Sequence, residues 1–214
     1  MDPDITWYAQ SAVRLDLDGA RVYIDPYRLP DSEPPADIIL VSHHHGDHLS
    51  LESIDRVRVP ATVVIASAIA AERIPGEVRV LAPGESIEVA QVHILAVPAY
   101  NIDKFRTPGV PYHPREEGHV GFVIEVDDLS FYFAADSDVI PEMGGVGPVD
   151  YAFLPVGGRT VMTPEEAARA AELIRPSVAI PVHYGAETDG AARQFAALVP
   201  DQVRVWIMSP AETR

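Results

Sequence analysis

The run His43-His44-His45-Gly46-Asp47-His48 follows directly on the apolar stretch Ile38-Ile39-Leu40-Val41. A short apolar run rich in β-branched residues predicts a buried strand, so the histidines emerge where a strand ends. Residues two apart on an extended segment project to the same side, and His43 and His45 can therefore share one cation. Asp47 and His48 fall on the turn that follows. A short loop there can aim them at a second cation, about 3.5–4 Å from the first in paired-metal hydrolases. His44 points the other way and is the least suited of the four to that role. A solvent-exposed histidine-rich loop would explain the composition, but not the Asp-His pair or the strand leading in.

The chain has no cysteine, so a metal must be held by His, Asp or Glu. Those donors suit zinc first, with manganese or iron as alternatives. Acids outnumber Lys plus Arg by 32 to 16, a formal charge of −16 with no compensating basic patch. That balance argues against nucleic acid as a partner and reads as a solvated acidic surface; a small-molecule substrate is expected instead. With 47% hydrophobic residues the chain can bury a core, and no apolar run approaches the roughly 18 residues that span a bilayer. The opening residues MDPDITWYAQ carry acids where an export signal carries Lys or Arg, which predicts a cytoplasmic protein. No linker-like stretch divides residues 1–214, so one domain is expected. The sequence specifies no oligomeric state.

Strand signals dominate the first half. Val13 to Leu17 and Arg21 to Ile24 flank the turn Asp18-Gly19, which predicts a hairpin. Thr62 to Ala66 reads as a strand, Ala68 to Arg73 as a short helix, and Ser86 to Val97 as a strand or strand pair. Pro98 to Gly118 is rich in proline and lacks periodicity, so a long loop is expected there. Val120 to Val126 and Leu129 to Ala135 form a second hairpin. Later, strands at Val149 to Leu154, Val178 to Val182 and Gln202 to Ile207 alternate with two helices. One helix starts at the capping box Thr163-Pro164-Glu165-Glu166 and the other covers Gly190 to Leu198. Strands first and helix–strand alternation later predict an α/β fold, a four-layer αβ/βα sandwich.

Two more candidates sit at strand ends: Asp136, after Phe131 to Ala135, and His183, after Ile180-Pro181-Val182. Taken alone, a strand-end Asp is more often a turn residue and a lone His a hydrogen-bonded one. Together with the cluster they resemble a known family. His43-His44-His45-Gly46-Asp47-His48 fits the H-x-H-x-D-H motif of the metallo-β-lactamase superfamily. The remainder is similar to its branch of small metal-dependent hydrolases related to ascorbate-6-phosphate lactonase and N-acylphosphatidylethanolamine phospholipase D. Tyr23 to Tyr27, Ala135-Asp136-Ser137-Asp138, Leu154 to Gly158 and Pro181 to Gly185 carry that likeness in order along the chain.

The resemblance implies two divalent metal ions, with His43 and His45 at one, Asp47, His48 and His183 at the other, and Asp136 bridging. It also implies a metal-activated water attacking a phosphoester, phosphodiester or lactone, with Asp47 or Asp136 handling the nucleophile. Many relatives supply a third histidine to the first metal where this chain has Asn101, after Pro98-Ala99-Tyr100. His113, followed by Pro114 as in relatives with Ala-Tyr-Asn, is the expected replacement, with His119 as runner-up. Relatives also have Gly-His where Ala9-Gln10 stands here. Asp25 is a candidate partner for a ligating imidazole. Lys104, Arg106 and Arg115 in the long loop, and the Gly157-Gly158-Arg159-Thr160 turn, are candidates for contacting an anionic substrate. Two alternatives stand beside the hydrolase: a nuclease of the same fold, and a non-enzymatic metal-binding or sensing protein whose site has degenerated at Asn101.

Overall fold

The computed structural model describes residues 3–185 and 189–211. The first half of the chain builds a six-stranded sheet in sequential order: β1 (Asp4–Trp7), β2 (Val13–Leu17), β3 (Ala20–Ile24), β4 (Ile38–Val41), β5 (Val63–Ala66) and β6 (Arg79–Val80). Strands β1 to β3 are antiparallel, joined at β2–β3 by a turn whose Gly19 has φ +80°. Strands β3 to β6 run parallel, which requires crossovers. One crossover contains α1 (Leu51–Val57), and α2 (Ala68–Ala71) lies in the next.

A seven-stranded sheet follows. Its members are β7 (Ser86–Val89), β8 (Val92–Pro98), β11 (Val120–Val126), β12 (Leu129–Phe133), β13 (Tyr151–Pro155), β14 (Val178–Val182) and β15 (Arg204–Val205), laid out as β15-β14-β13-β12-β11-β8-β7. A two-stranded ribbon, β9 (Phe105–Thr107) and β10 (Val110–Pro111), interrupts the connection from β8 to β11. Helices α3 (Pro164–Ile174) and α4 (Gly190–Leu198) connect the parallel strands at the far end of the sheet.

Period-two burial produces the layers. Ile38 and Leu40 on β4 face a central core shared with Phe122, Ile124, Phe133 and Phe153 of the second sheet. Their neighbours Ile39 and Val41 face the opposite way, onto Ile54 and Val57 of α1 and Ala70 of α2. On the far side Ala152, Leu154 and Ala179 pack under Ala167, Ala171 and Ile174 of α3 and Phe195 of α4. Three cores separate four layers, the αβ/βα sandwich expected from the sequence. Among the described residues no helix is long and apolar enough to cross a membrane.

The expected hairpins, central strands and capped helix are present; Thr163 Oγ1 accepts from the Glu166 amide while the Glu166 carboxylate accepts from the Thr163 amide. The strand pair at Ser86 to Val97 resolves into a hairpin turned at Ala90 and Gln91, both with positive φ. Three differences have simple causes. The expected loop Pro98–Gly118 contains the β9–β10 ribbon and a 3-10 turn at Arg115–Glu117, whose exposed residues leave no apolar periodicity to read. The last strand shrinks to Arg204–Val205 because it pairs only with β14 at the sheet edge. Strand β1 and helix α1 carry mixed polar and apolar residues, and tertiary packing selects their conformation, α1 starting where Ser50 caps the Ser53 amide.

The proline- and acid-rich loop at 29–36 is held down by one carboxylate. Glu33 Oε2 accepts from the guanidinium of Arg14 at 2.6 Å, from the Tyr23 hydroxyl at 3.0 Å and from the Tyr8 hydroxyl. This loop leads into β4, and its anchoring fixes the entry to the histidine run.

Candidate metal centre

The candidate residues gather at the ends of strands from both sheets. His43 to His48 leave β4, Asp136 follows β12 and His183 follows β14. Asp25 (φ 46°), Ala135 (φ 52°) and His183 (φ 55°) each take the left-handed backbone conformation at a strand end. Such residues cost roughly 1–3 kcal/mol apiece and collect at functional sites. Here they turn the chain sharply, so that side chains project into the space between the sheets' edges.

All histidines but His93 converge there. His43, His45 and His113 bring ring nitrogens together, and His45 Nδ1 lies 3.1 Å from His113 Nε2. Asp47, His48 and His183 form a second group, with Asp47 Oδ2 3.3 Å from His183 Nε2. Asp136 stands between the groups. Its Oδ1 is 3.2 Å from His48 Nε2, and its Oδ2 is 3.4 Å from the Nε2 of both His183 and His113. Asn101 is in neither group. The His119 ring stacks on His43 with centroids 5.0 Å apart, but its nitrogens group with Glu117 and His44.

Hydrogen bonds behind the rings fix which nitrogen faces inward. Asn101 donates its amide to Asp138 Oδ1 and to the Thr160 carbonyl, both at 3.0 Å, so its Oδ1 must be the acceptor facing His113. That oxygen accepts from the His113 amide at 3.0 Å and from ring Nδ1 at 2.8 Å, so Nε2 is the nitrogen turned toward His45 and Asp136. The residue that stands where relatives have a histidine thus orients another one. Asp138 in turn accepts from the amides of Ile102 and Asp103, at 2.6 and 2.9 Å, which pins this corner.

Asp25 serves the other group. Its Oδ2 accepts from His48 Nδ1 at 2.7 Å and from Ser42 Oγ at 2.6 Å, and Oδ1 from the Ser42 amide at 2.7 Å. Because the Ser42 hydroxyl donates to Asp25, it accepts from His43 Nδ1 at 2.9 Å. Through these bonds the Nε2 atoms of His43 and His48 are presented without a partner, as are His183 Nε2 and Asp136 Oδ1. Buried polar atoms without hydrogen bonds cost about 1–3 kcal/mol each. Several of them aimed at one place fit a cation.

The protonation states differ across the centre. Burial, reinforced by the nearby His48, holds the His43 imidazole well below its ordinary range, and burial lowers His113 to about 4. Burial likewise lowers His45. Burial also opposes the charged form of His48, yet Asp136 and Asp25 outweigh it and push that imidazole well up. His183 rises for the same reason, with burial overcome by Asp136 and Asp47. Burial opposes the charged form of Asp47, but the His183 ring 3.3 Å away and the charge of His48 outweigh it and lower that carboxyl to about 2.

The backbone of Gln10 takes the part expected of a side chain. Its carbonyl accepts from the His183 amide at 2.9 Å and from the Trp7 indole at 2.8 Å, contacts that do not depend on the side chain at this position. Gly157 allows the loop after β13 to approach: a Cβ there would lie 2.3 Å from the His183 carbonyl oxygen. The Gly158 amide donates to Met162 O, which closes a turn. Of the loop cations, Lys104 is committed to Asp103, Asp138 and Glu166, and Arg115 to Glu142. Arg106 lies over the Tyr112 ring and, among the described residues, makes no ion pair.

Comparison with known proteins agrees with this arrangement. Residues 4–183 match the family described as Beta-lactamase superfamily domain. The chain is 35% identical over 195 residues to a UPF0173 metal-dependent hydrolase of Methanopyrus kandleri, covering 85% of this chain and 84% of that protein. It is 33% identical over 214 residues to one from Thermococcus onnurineus, covering 90% of each. A solved structure from Parabacteroides distasonis, described as a metal-dependent hydrolase, superposes with a TM-score of 0.87 at 34% identity, covering 97% of this chain and 93% of that one. With the strand-end histidine run, the four-layer sandwich and these relatives in agreement, the chain belongs to the metallo-β-lactamase superfamily, among its metal-dependent hydrolases.

Proposed function

We propose that this chain hydrolyses a small anionic phosphoester, phosphodiester or lactone at a centre of two divalent cations, zinc first and manganese or iron as alternatives. His43, His45 and His113 would hold one cation, Asp47, His48 and His183 the other, with Asp136 shared. The observation that carries this reading is the convergence of the partnerless Nε2 atoms of His43, His48 and His183 with Asp136 Oδ1. Bound cations would polarise the scissile oxygen and lower the pKa of a bound water to about 7.

The two candidate catalytic carboxylates have different surroundings. The Asp136 side chain is only 4% exposed, enclosed by His48, His113 and His183, which suits a fixed bridging role. The Asp47 side chain is 34% exposed and held ionised, so it can orient a water and carry its proton outward. Beside His183 opens a cleft of about 340 Å³ bordered by Tyr112, Arg159 and Thr160. That size suits a small molecule. Arg159 makes no ion pair among the described residues, and the free Arg106 lies against the same Tyr112. The Arg159 guanidinium bordering the cleft of a chain carrying −16 favours an anionic substrate group.

The test is turnover by zinc-loaded protein on bis(p-nitrophenyl) phosphate, p-nitrophenyl phosphate and an acyl lactone. Hydrolysis of at least one is expected, lost on chelation and in His48→Ala. Protein that binds two cations and turns over none of the three would refute the reading.

A further inference from the structure

A second cluster lies beside the centre and plays no part in it. His44, from the turn after β4, meets Glu117 and His119, which precede β11, with one donor atom of each within 4.8 Å of the others. His119 is 2% exposed, yet neither of its ring nitrogens has a hydrogen-bond partner, and the same holds for His44 Nδ1. Glu117 Oε2 approaches His119 Nε2 to 3.0 Å without hydrogen-bond alignment. A core histidine placed for packing alone would be expected to satisfy at least one nitrogen. This one stacks its ring on His43 at 5.0 Å and leaves both nitrogens bare.

We propose that His44, Glu117 and His119 form a third cation site, distinct from the two-cation centre, for a single divalent transition-metal ion. Two imidazoles and one carboxylate are the donors of known zinc sites that keep an open coordination position, and the same set holds ferrous iron. The ion would tie the turn after β4, in the first sheet, to the entry of β11, in the second. Its proximity to His43 through the His119 ring would make it a clamp on the first-cation imidazoles.

Equilibrium dialysis of the chelator-stripped full chain against graded free Zn²⁺ tests this, with bound metal counted per chain. The wild type should saturate one ion higher than Glu117→Gln and one higher than His119→Phe, while His93→Ala, at a remote exposed histidine, should match the wild type. Zinc should also raise the melting temperature of the wild type more than that of Glu117→Gln, whose carboxylate is partly exposed and whose fold is not at risk. An equal count in the wild type and both variants would overturn the proposal, as would a loss of one ion in His93→Ala with none in Glu117→Gln. The readout is a difference between chains, so it stands whether the neighbouring centre holds two ions or one. Failure of that centre would show instead as an unchanged count in His48→Ala.

Discussion

The two halves of the proposed centre are built from different materials. The half containing Asp47, His48 and His183 is rich in carboxylates: Asp25 lies behind His48, and Asp47 and Asp136 lie in front of His183. Its histidines are pushed up in pKa when metal is absent. The half containing His43, His45 and His113 has only imidazoles, held by neutral groups, Ser42 behind His43 and Asn101 behind His113. Burial keeps these rings neutral. One half is thus ready to accept a cation, while the other holds a set of ion pairs that a cation must displace.

The largest effect is expected where the halves meet. Asp136→Ala should lower kcat/KM by on the order of 10³-fold or more, since loss of one preorganised electrostatic contact alone can cost 10²–10³. Loss below tenfold would mean that Asp136 does not bridge. The supporting residues should then separate the halves. Asp25→Ala should weaken the second-half cation most, by about 10–100-fold, with a smaller effect on the first half through Ser42 and His43. It should also destabilise the metal-free fold by about 1–3 kcal/mol because His48 Nδ1 and Ser42 lose their buried acceptor. Asn101→Ala should weaken only the first-half cation, by about tenfold, and should cost the metal-free fold about 1–3 kcal/mol through the buried groups that its amide satisfies. A two-step metal titration of both variants, with chemical denaturation of the stripped proteins, would resolve this. If either variant weakened both steps equally, the halves would not be independent.

The proton balance sharpens the contrast. A group whose pKa is raised in the folded metal-free chain must give up its proton before it can ligate. Loading the second half should therefore release more protons, from His48 and His183, than loading the first half. The second step should accordingly weaken more steeply as pH falls. Calorimetry in buffers of different ionisation enthalpy measures this, and equal release in both steps would contradict it. The smallest effect should come from Arg159→Ala, which is expected to raise KM severalfold with kcat nearly unchanged, since it would touch substrate at the cleft rather than the reacting bond.

How legible each half was in the sequence follows the same division. Asp47 and His48 are adjacent, and Asp136 and His183 each end a plainly apolar strand, so strand periodicity and motif order were enough to find them. His113 sits in a proline-rich segment with no periodic signal, and its placement depends on Asn101, Asp138 and Thr160, brought together from three separate loops. No local pattern encodes such a meeting. The departure from the family pattern at Asn101 was visible; its role as the acceptor for His113 Nδ1 was not. Lys104 was a candidate substrate contact beside the reading of ordinary loop charge, and folding instead surrounds it with Asp103, Asp138 and Glu166. Glu117 gave no sequence signal at all, and only the fold places it against His119.

Anomalous diffraction from crystals of the zinc-loaded protein tests the two-half centre most directly. The account predicts one cation within about 2.0–2.2 Å of nitrogens from His43, His45 and His113, and a second at similar distances from Asp47, His48 and His183, with Asp136 reaching both. A cation ligated by Asn101 or His119 in place of His113, or a single cation shared by all these residues, would contradict it.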